Sequence, residues 1–470
     1  MKLIGRDPEK SILEQALKSK RAELIAVFGR RRVGKTYLIQ HVYKNDFIFE
    51  FSGILHGTLK QQLDNFYLTL ARKKRKTKKP ANWLEAFSQL IEYIEFLSLK
   101  KKKVIFMDEF PWLDTRKSGF LAAFDNFWNS YAVKNKNLVV VICGSAASYM
   151  IQKIINNKGG LHNRITQKIR LLPFTLKETE QFLNYNNVKF TRYDILQLYM
   201  AMGGIPYYLG KVSSGESVPQ NIDRLCFTKD GALRTEFSTV FTSLFEVPRN
   251  HELIIRILAS VRKGLTRNEM LKKMKTQTGG GITKTLLELE ESGFIEKYLP
   301  YQGTKDSLYR LTDEYSLFYL KFIERTKPSK HGVWQSICNN APYRSWAGFC
   351  FESVCIKHIE QIKEGLKIAG IRSEHGSWLD KKQENGAQID LLIDRADNVI
   401  NICEIKFYNS AFTIDKKYAG ELEKKIAVFL KSTNSKKNIR ITLISTYGLI
   451  TNKYSKQYIQ NELTIDDLFV

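Results

Sequence analysis

Eight residues constrain this chain more than any others: "GRRRVGKT", from Gly29 to Thr36. They fit the pattern GxxxxGK[ST]. The apolar run "ELIAVFG" leads into them, and "YLIQHVY", a helical start, follows. Strand, glycine-rich turn and helix in that order make a phosphate cradle. The backbone N–H groups of Gly29, Arg30, Arg31, Arg32, Val33 and Gly34 can wrap an anion at the positive end of the helix. Lys35 then reaches the β- and γ-phosphates of a nucleotide, and Thr36 offers its hydroxyl to Mg2+.

The surrounding residues supply what such a loop needs. In "VIFMDEF", Asp108 ends an apolar run and can hold the magnesium through water. Glu109 beside it can polarise an attacking water. "ELIAVFG", "KVIFMDEF" and "LVVVICGS" are continuous apolar runs, as expected of strands covered on both faces of a parallel sheet. Residues 1–175 therefore read as an α/β P-loop core, and 176–245 as a helical lid. Residues 246–326 read as helix, helix, helix and β-hairpin, a winged-helix pattern. Thr266 and Glu269 suit a capping box there. Ile282, Leu286 and Leu289 share one face of the third helix, which Gly293 ends. That helix also carries Glu288, Glu290 and Glu291, an unfavourable charge for a major groove. "RTKPSKHGVWQ" reads as a linker, and residues 340–470 as a second α/β unit.

A second constellation lies in that last unit. Along the strand-like "NICEIKF", side chains alternate faces, so Glu404 and Lys406 point one way. Burying that carboxylate costs several kcal/mol, roughly, unless something compensates. Lys406 itself can do so, or a metal ion with a phosphate. "QIDLLID" precedes it, with "RADN" as the turn, which brings Asp390 close to Glu404. Two carboxylates can hold Mg2+ or Mn2+, and the lysine can orient a water or steady charge on a phosphate. Upstream, the helical "WAGFCFESVCIKHI" carries Glu352 on an otherwise apolar segment.

Composition narrows the partners. The 470 residues hold 74 Lys and Arg against 48 Asp and Glu, a net charge of +26. That field favours a polyanion such as DNA. The six cysteines are scattered with no CxxC, which argues against a zinc site and a disulfide framework. "MKLIGRDPEK" has no apolar signal region, and no apolar run approaches the length of a membrane helix. The expectation is a reduced, cytoplasmic protein without a membrane partner.

On these motifs, residues 2–325 resemble the archaeal-type AAA+ ATPases, relatives of the STAND signal-transducing NTPases. The resemblance sets "LIGRDPEKSILEQAL" near the adenine and Ser145 of "ICGSAASYM" near the γ-phosphate. It makes Arg164 of "LHNRITQKIRLLPF" a catalytic arginine, acting in its own chain or in a neighbouring copy. It sets Pro206 of "GGIPYYL" near the base. Residues 340–470 resemble the PD-(D/E)xK nuclease core of many restriction endonucleases and Holliday-junction resolvases. That resemblance implies a site of Glu352, Asp390, Glu404 and Lys406, with Asp390 and Glu404 on the metal. Ile389 stands where the motif has its proline. Archaeal-type ATPases often end in such a domain. Two functions follow: an ATP-hydrolysing DNA-processing enzyme with a metal-dependent nuclease, or an ATP-gated switch whose C-terminal domain only binds a partner. Self-association is open in either.

Overall fold

The computed structural model describes residues 2–74, 77–155, 161, 163–245, 247–275, 279–302, 306–329, 332–338, 340–380 and 387–470. They fall into two compact units. One comprises 1–173 with the short pieces 243–246 and 291–293; the other comprises 174–242, 247–290 and 294–470.

In the first unit, β1 (Glu23–Phe28), β2 (Phe47–Ser52), β3 (Lys103–Asp108), β4 (Leu138–Gly144) and β5 (Gln167–Arg170) form one parallel sheet. Its order is β2-β3-β4-β1-β5. Every residue of β1 and β4 is buried. The continuous apolar runs arise because these strands have no solvent face. An aromatic core built on Phe49, Phe66, Trp83, Phe87, Phe120 and Phe124 fills one side. The helices that supply it are capped by their own sequence: Thr58 and Gln61 close a capping box, and Asn82 accepts from the Glu85 N–H. Because β4 lies between β1 and β3, the carboxyl ends of all three open on the same edge. That edge is where parallel α/β sheets bind ligands.

The second unit begins with the helices Leu176–Tyr185, Arg192–Met202 and Pro206–Leu209. Next come Arg249–Ala259, β6 (Leu265–Thr266), Arg267–Met274, Gly279–Glu291, β7 (Ile295–Tyr298) and β8 (Leu308–Leu311). The three strands form an antiparallel sheet, β6-β8-β7. Glu288 turns inward to His251 Nε2 at 2.8 Å, so one of the helix's acids serves packing.

The stretch read as a linker is not one. Trp334 is buried and packs on Phe227 and Phe322, and Asp223 accepts from the Gly332 and Trp334 N–H groups at 2.7 Å each. Its Pro, Gly and Lys content conceals one aromatic anchor.

Beyond the helices Ala341–Lys357 and Ile359–Gly365 lies a second five-stranded sheet: β9 (Ser373–Leu379), β10 (Gln388–Arg395), β11 (Val399–Lys406), β12 (Asn438–Ser445) and β13 (Asn461–Thr464). Its order is β13-β12-β11-β10-β9. β9, β10 and β11 are antiparallel neighbours, while β11, β12 and β13 run parallel. The helix Lys416–Thr433 makes the crossover from β11 to β12.

Candidate functional site

The loop after β1 has the backbone its sequence demands. Gly29 has φ 146°, and a Cβ there would lie 2.2 Å from the Leu171 carbonyl oxygen. Gly34 has φ 91°, a region that side chains resist. Lys35 is buried and its Nζ donates to the Gly29 and Arg30 carbonyls, each at 3.0 Å. The ammonium thus spans the loop that would hold the anion. Arg6, from the N-terminal segment, donates through Nη2 to the Val33 carbonyl at 3.2 Å.

Thr36 Oγ1 donates to Asp108 Oδ2 at 2.7 Å, and Asp108 Oδ1 accepts from the Glu109 N–H at 2.9 Å. Ser145 Oγ donates to Glu109 Oε2 at 2.8 Å. Glu109 itself has φ 43°, in the sparsely used left-handed region, where functional residues often sit. Three strand ends therefore join in one hydrogen-bonded line, Thr36–Asp108–Glu109–Ser145. The Thr36 hydroxyl and Asp108 carboxylate are the oxygen pair a magnesium shell needs, so the residues fit that ion. Glu109 is left with a carboxylate able to polarise a water.

One expected residue, Arg164, lies elsewhere. Thr166 N donates to the Leu24 carbonyl at 2.8 Å, near the start of β1. The loop lies about 13 Å further along, at the strand's rise per residue. Arg164, exposed in the turn before Thr166, is thus at the opposite end of the sheet from Gly29–Thr36. It is not part of its own chain's phosphate site, because parallel pairing of β5 with β1 sends it the other way. Pro206 opens the helix Pro206–Leu209, which belongs to the second unit.

In that unit the register Leu391↔Cys403, continued by one residue, sets Asp390 opposite Glu404. The helix Ala341–Lys357, carrying Glu352, packs on β10 and β11. The Glu352 carboxyl is pushed up to about 8, by burial first and then by Asp390 and Glu404, against Arg262 and Lys406. The four expected groups therefore act on one another. Yet among the described residues no three His, Cys, Asp or Glu side chains gather closely enough to hold a metal ion.

Glu404 shows why. It is buried, and Lys406 Nζ lies 4.0 Å away. Its nearer partners come from the helix Lys416–Thr433: Tyr418 OH donates to Oε2 at 2.7 Å, and the Lys425 ammonium pairs with Oε1. Burial and Glu404 push the Tyr418 phenol up, which keeps it a neutral donor. Lys406 lies over the Tyr418 ring, 4.8 Å from its centroid. The buried charge is thus met by two residues that a reading of the strand alone misses. The available signal is that Tyr418, Leu422, Lys425 and Phe429 recur on one helix face. Asp390 is half-buried and accepts from the Gln388 amide.

Comparison with known proteins agrees with the first unit. Residues 3–212 match a family described as an ATPase domain predominantly from Archaea. Fold, loop and match together define this stretch as an ATPase domain of the archaeal type. An uncharacterised protein of Methanocaldococcus jannaschii is 27% identical over 400 residues, 83% of each chain. Among solved structures, a Walker-type ATPase of Pyrococcus abyssi has a TM-score of 0.47 at 18% identity, over 68% of this chain and 96% of that one. A STAND protein of Pyrococcus horikoshii with a tetratricopeptide repeat sensor has a TM-score of 0.32 at 15% identity, over 78% of this chain and 48% of that one. Among the described residues no helix is long and apolar enough to cross a membrane.

Proposed function

We propose that the chain is an ATP-hydrolysing AAA+ protein that processes DNA through a PD-(D/E)xK nuclease-like domain. Lys35 and the loop from Gly29 to Thr36 bind the phosphates, Thr36 and Asp108 hold Mg2+, Glu109 polarises water and Ser145 orients Glu109. Pro206 contacts the base, and Arg164 serves a neighbouring copy. The segment 246–326 is a winged helix that connects the two activities. Asp390 and Glu404 would hold Mg2+ or Mn2+, which supplies a Lewis acid and an activated water at a phosphodiester. Lys406 steadies charge on the phosphate, and Glu352 completes the site.

The observation that carries this reading is the juxtaposition in the second sheet: Asp390 opposite Glu404 across antiparallel strands, Lys406 two residues on, and the Glu352 helix packed on both strands. Plasmid nicking with Mn2+ tests it. Wild type should nick, and Asp390→Asn should not. No nicking by wild type at any metal concentration would sink the nuclease reading.

One observation favours a second function. Lys425 already neutralises Glu404. If that pair is permanent, the domain binds a partner and the protein is an ATP-gated switch. Nicking would then be absent while ATP changes partner affinity.

A further inference from the structure

We propose that Arg262 and Lys263 form the phosphate-binding wall of the Glu352–Asp390 site, and that its occupant is a single strand of nucleic acid. The inference rests on the carboxylate-site reading above and names its substrate class.

A cavity of about 510 Å3 opens beside the second sheet, lined among others by Arg262, Lys263, Tyr298, Tyr301, Glu352 and Asp390. One wall comes from the segment holding β6, β7 and β8; the other comes from the helix Ala341–Lys357 and from β9 and β10. Arg262 and Lys263 sit in the turn before β6. Arg262 Nη2 donates to Ser345 Oγ at 2.7 Å, and its guanidinium carbon lies 5.6 Å from the Phe349 centroid. Ser345, Phe349 and Glu352 share one helix face. The guanidinium is thus laid along the face that carries Glu352. It bonds there through Nη2 alone, so donors remain from a group that has five.

The two walls carry opposite charge, Arg262 and Lys263 on one and Glu352 and Asp390 on the other. A phosphate and a metal ion would fill such a gap: the cations take the phosphate oxygens, and the carboxylates take the metal. The size selects the occupant. About 300–1,000 Å3 is a small-molecule site, room for a nucleotide rather than a duplex. Tyr301 closes one side: its N–H donates to the Ser377 carbonyl at 2.8 Å, and its hydroxyl donates to Asp394 Oδ2 at 3.1 Å. Tyr298 and Tyr301 line it as well, with Arg310 over the Tyr298 ring, 4.7 Å from its centroid, and Tyr301 packed on Phe429, ring centroids 5.9 Å apart.

The test is anisotropy of a labelled oligothymidylate and of a labelled hairpin duplex with the full chain, in EDTA, over a salt series. Arg262→Gln and Lys263→Gln should each weaken the single strand about tenfold, as loss of a charge-assisted contact does. Each should also flatten its salt slope by about 0.7. Arg262→Lys should restore most of the affinity, and duplex binding should change less than the single strand. Unchanged single-strand affinity in both Gln variants, or equal loss on strand and duplex, overturns the proposal. Should Arg262→Gln melt early, Lys263→Gln, at an exposed position, decides. Losses in the variants without Mn2+-dependent cleavage by wild type would remove the nuclease reading and leave a single-strand site. Cleavage with unchanged binding would do the reverse.

Discussion

Lys35 and Glu109 divide the chemistry of the first site between them. Lys35 holds two loop carbonyls, a stand-in for the phosphate oxygens it would take up. Lys35→Ala should therefore weaken ATP by at least about tenfold, since hydrogen bonds to charged groups are the costly ones to lose. Calorimetry showing wild-type affinity would refute that role. Glu109→Gln should bind ATP normally and hydrolyse it on the order of 10²–10⁴ slower, the usual loss when a positioned base is removed. Wild-type turnover in that variant would move the base elsewhere. These residues were legible in the sequence because their backbone leaves little choice: Gly29 cannot carry a Cβ beside Leu171. Lys425 was not. It meets Glu404 from 21 positions away, across a turn, and its place on the face of Tyr418, Leu422 and Phe429 marks it as facing inward without naming the carboxylate it meets.

Helices carry the less legible half. The helix Lys416–Thr433 presents Tyr418 and Lys425 to a carboxylate that is 5% exposed. Lys425→Met should destabilise the protein by up to about 3 kcal/mol, because the buried carboxylate loses its nearest cation and keeps only the Tyr418 hydroxyl and the more distant Lys406. If Glu404 is also a metal ligand, Mn2+ should raise the melting temperature of Lys425→Met more than that of wild type. Equal shifts would mean that no metal reaches Glu404. The helix Leu176–Tyr185 shows a second long-range dependence. Its Leu176 N–H, an amide with no partner inside the helix, donates to His358 Nε2 at 3.0 Å, while His358 Nδ1 donates to the Val354 carbonyl at 2.8 Å. Burial holds the His358 pKa down to about 4, whereas the unfolded imidazole titrates near 6.5. Between those values the unfolded chain binds more protons. His358 therefore contributes its full stability above about pH 6.5 and loses it as the pH falls through 4, about 3 kcal/mol in all. His358→Gln, which keeps an acceptor but cannot titrate, should flatten that part of the stability profile in urea melts. A profile parallel to wild type would refute it. The Thr175–Glu178 capping box that starts this helix is local and readable; the imidazole that completes it lies in another domain of the sequence.

The whole chain separates charge from the second site. Residues 1–173 hold 32 Lys and Arg against 14 Asp and Glu, whereas 174–470 hold 42 against 34. Most of the +26 therefore belongs to the ATPase unit, and the carboxylate site belongs to a nearly balanced one. If the protein acts on DNA, the first unit supplies the electrostatic hold and the second the selective contact. Affinity for duplex should then fall steeply with salt, with a slope of about −0.9 for each phosphate neutralised. The basic run at 72–79 is a good place to test this, because Lys73 and Lys78 are exposed there while Lys74 and Lys79 pair with Glu92 and Asp64. Paired lysines must leave a carboxylate to reach DNA, so the unpaired ones should count for more. Lys73→Gln with Lys78→Gln should weaken duplex binding and reduce the slope by up to about 1.8, two contacts' worth. The difference between single strand and duplex should not move, since it comes from Arg262 and Lys263. Anisotropy across the same salt series decides it. An unchanged slope would place the polyanion surface elsewhere on the chain. A flat affinity in wild type would leave the charge without a nucleic-acid role and favour the ATP-gated switch.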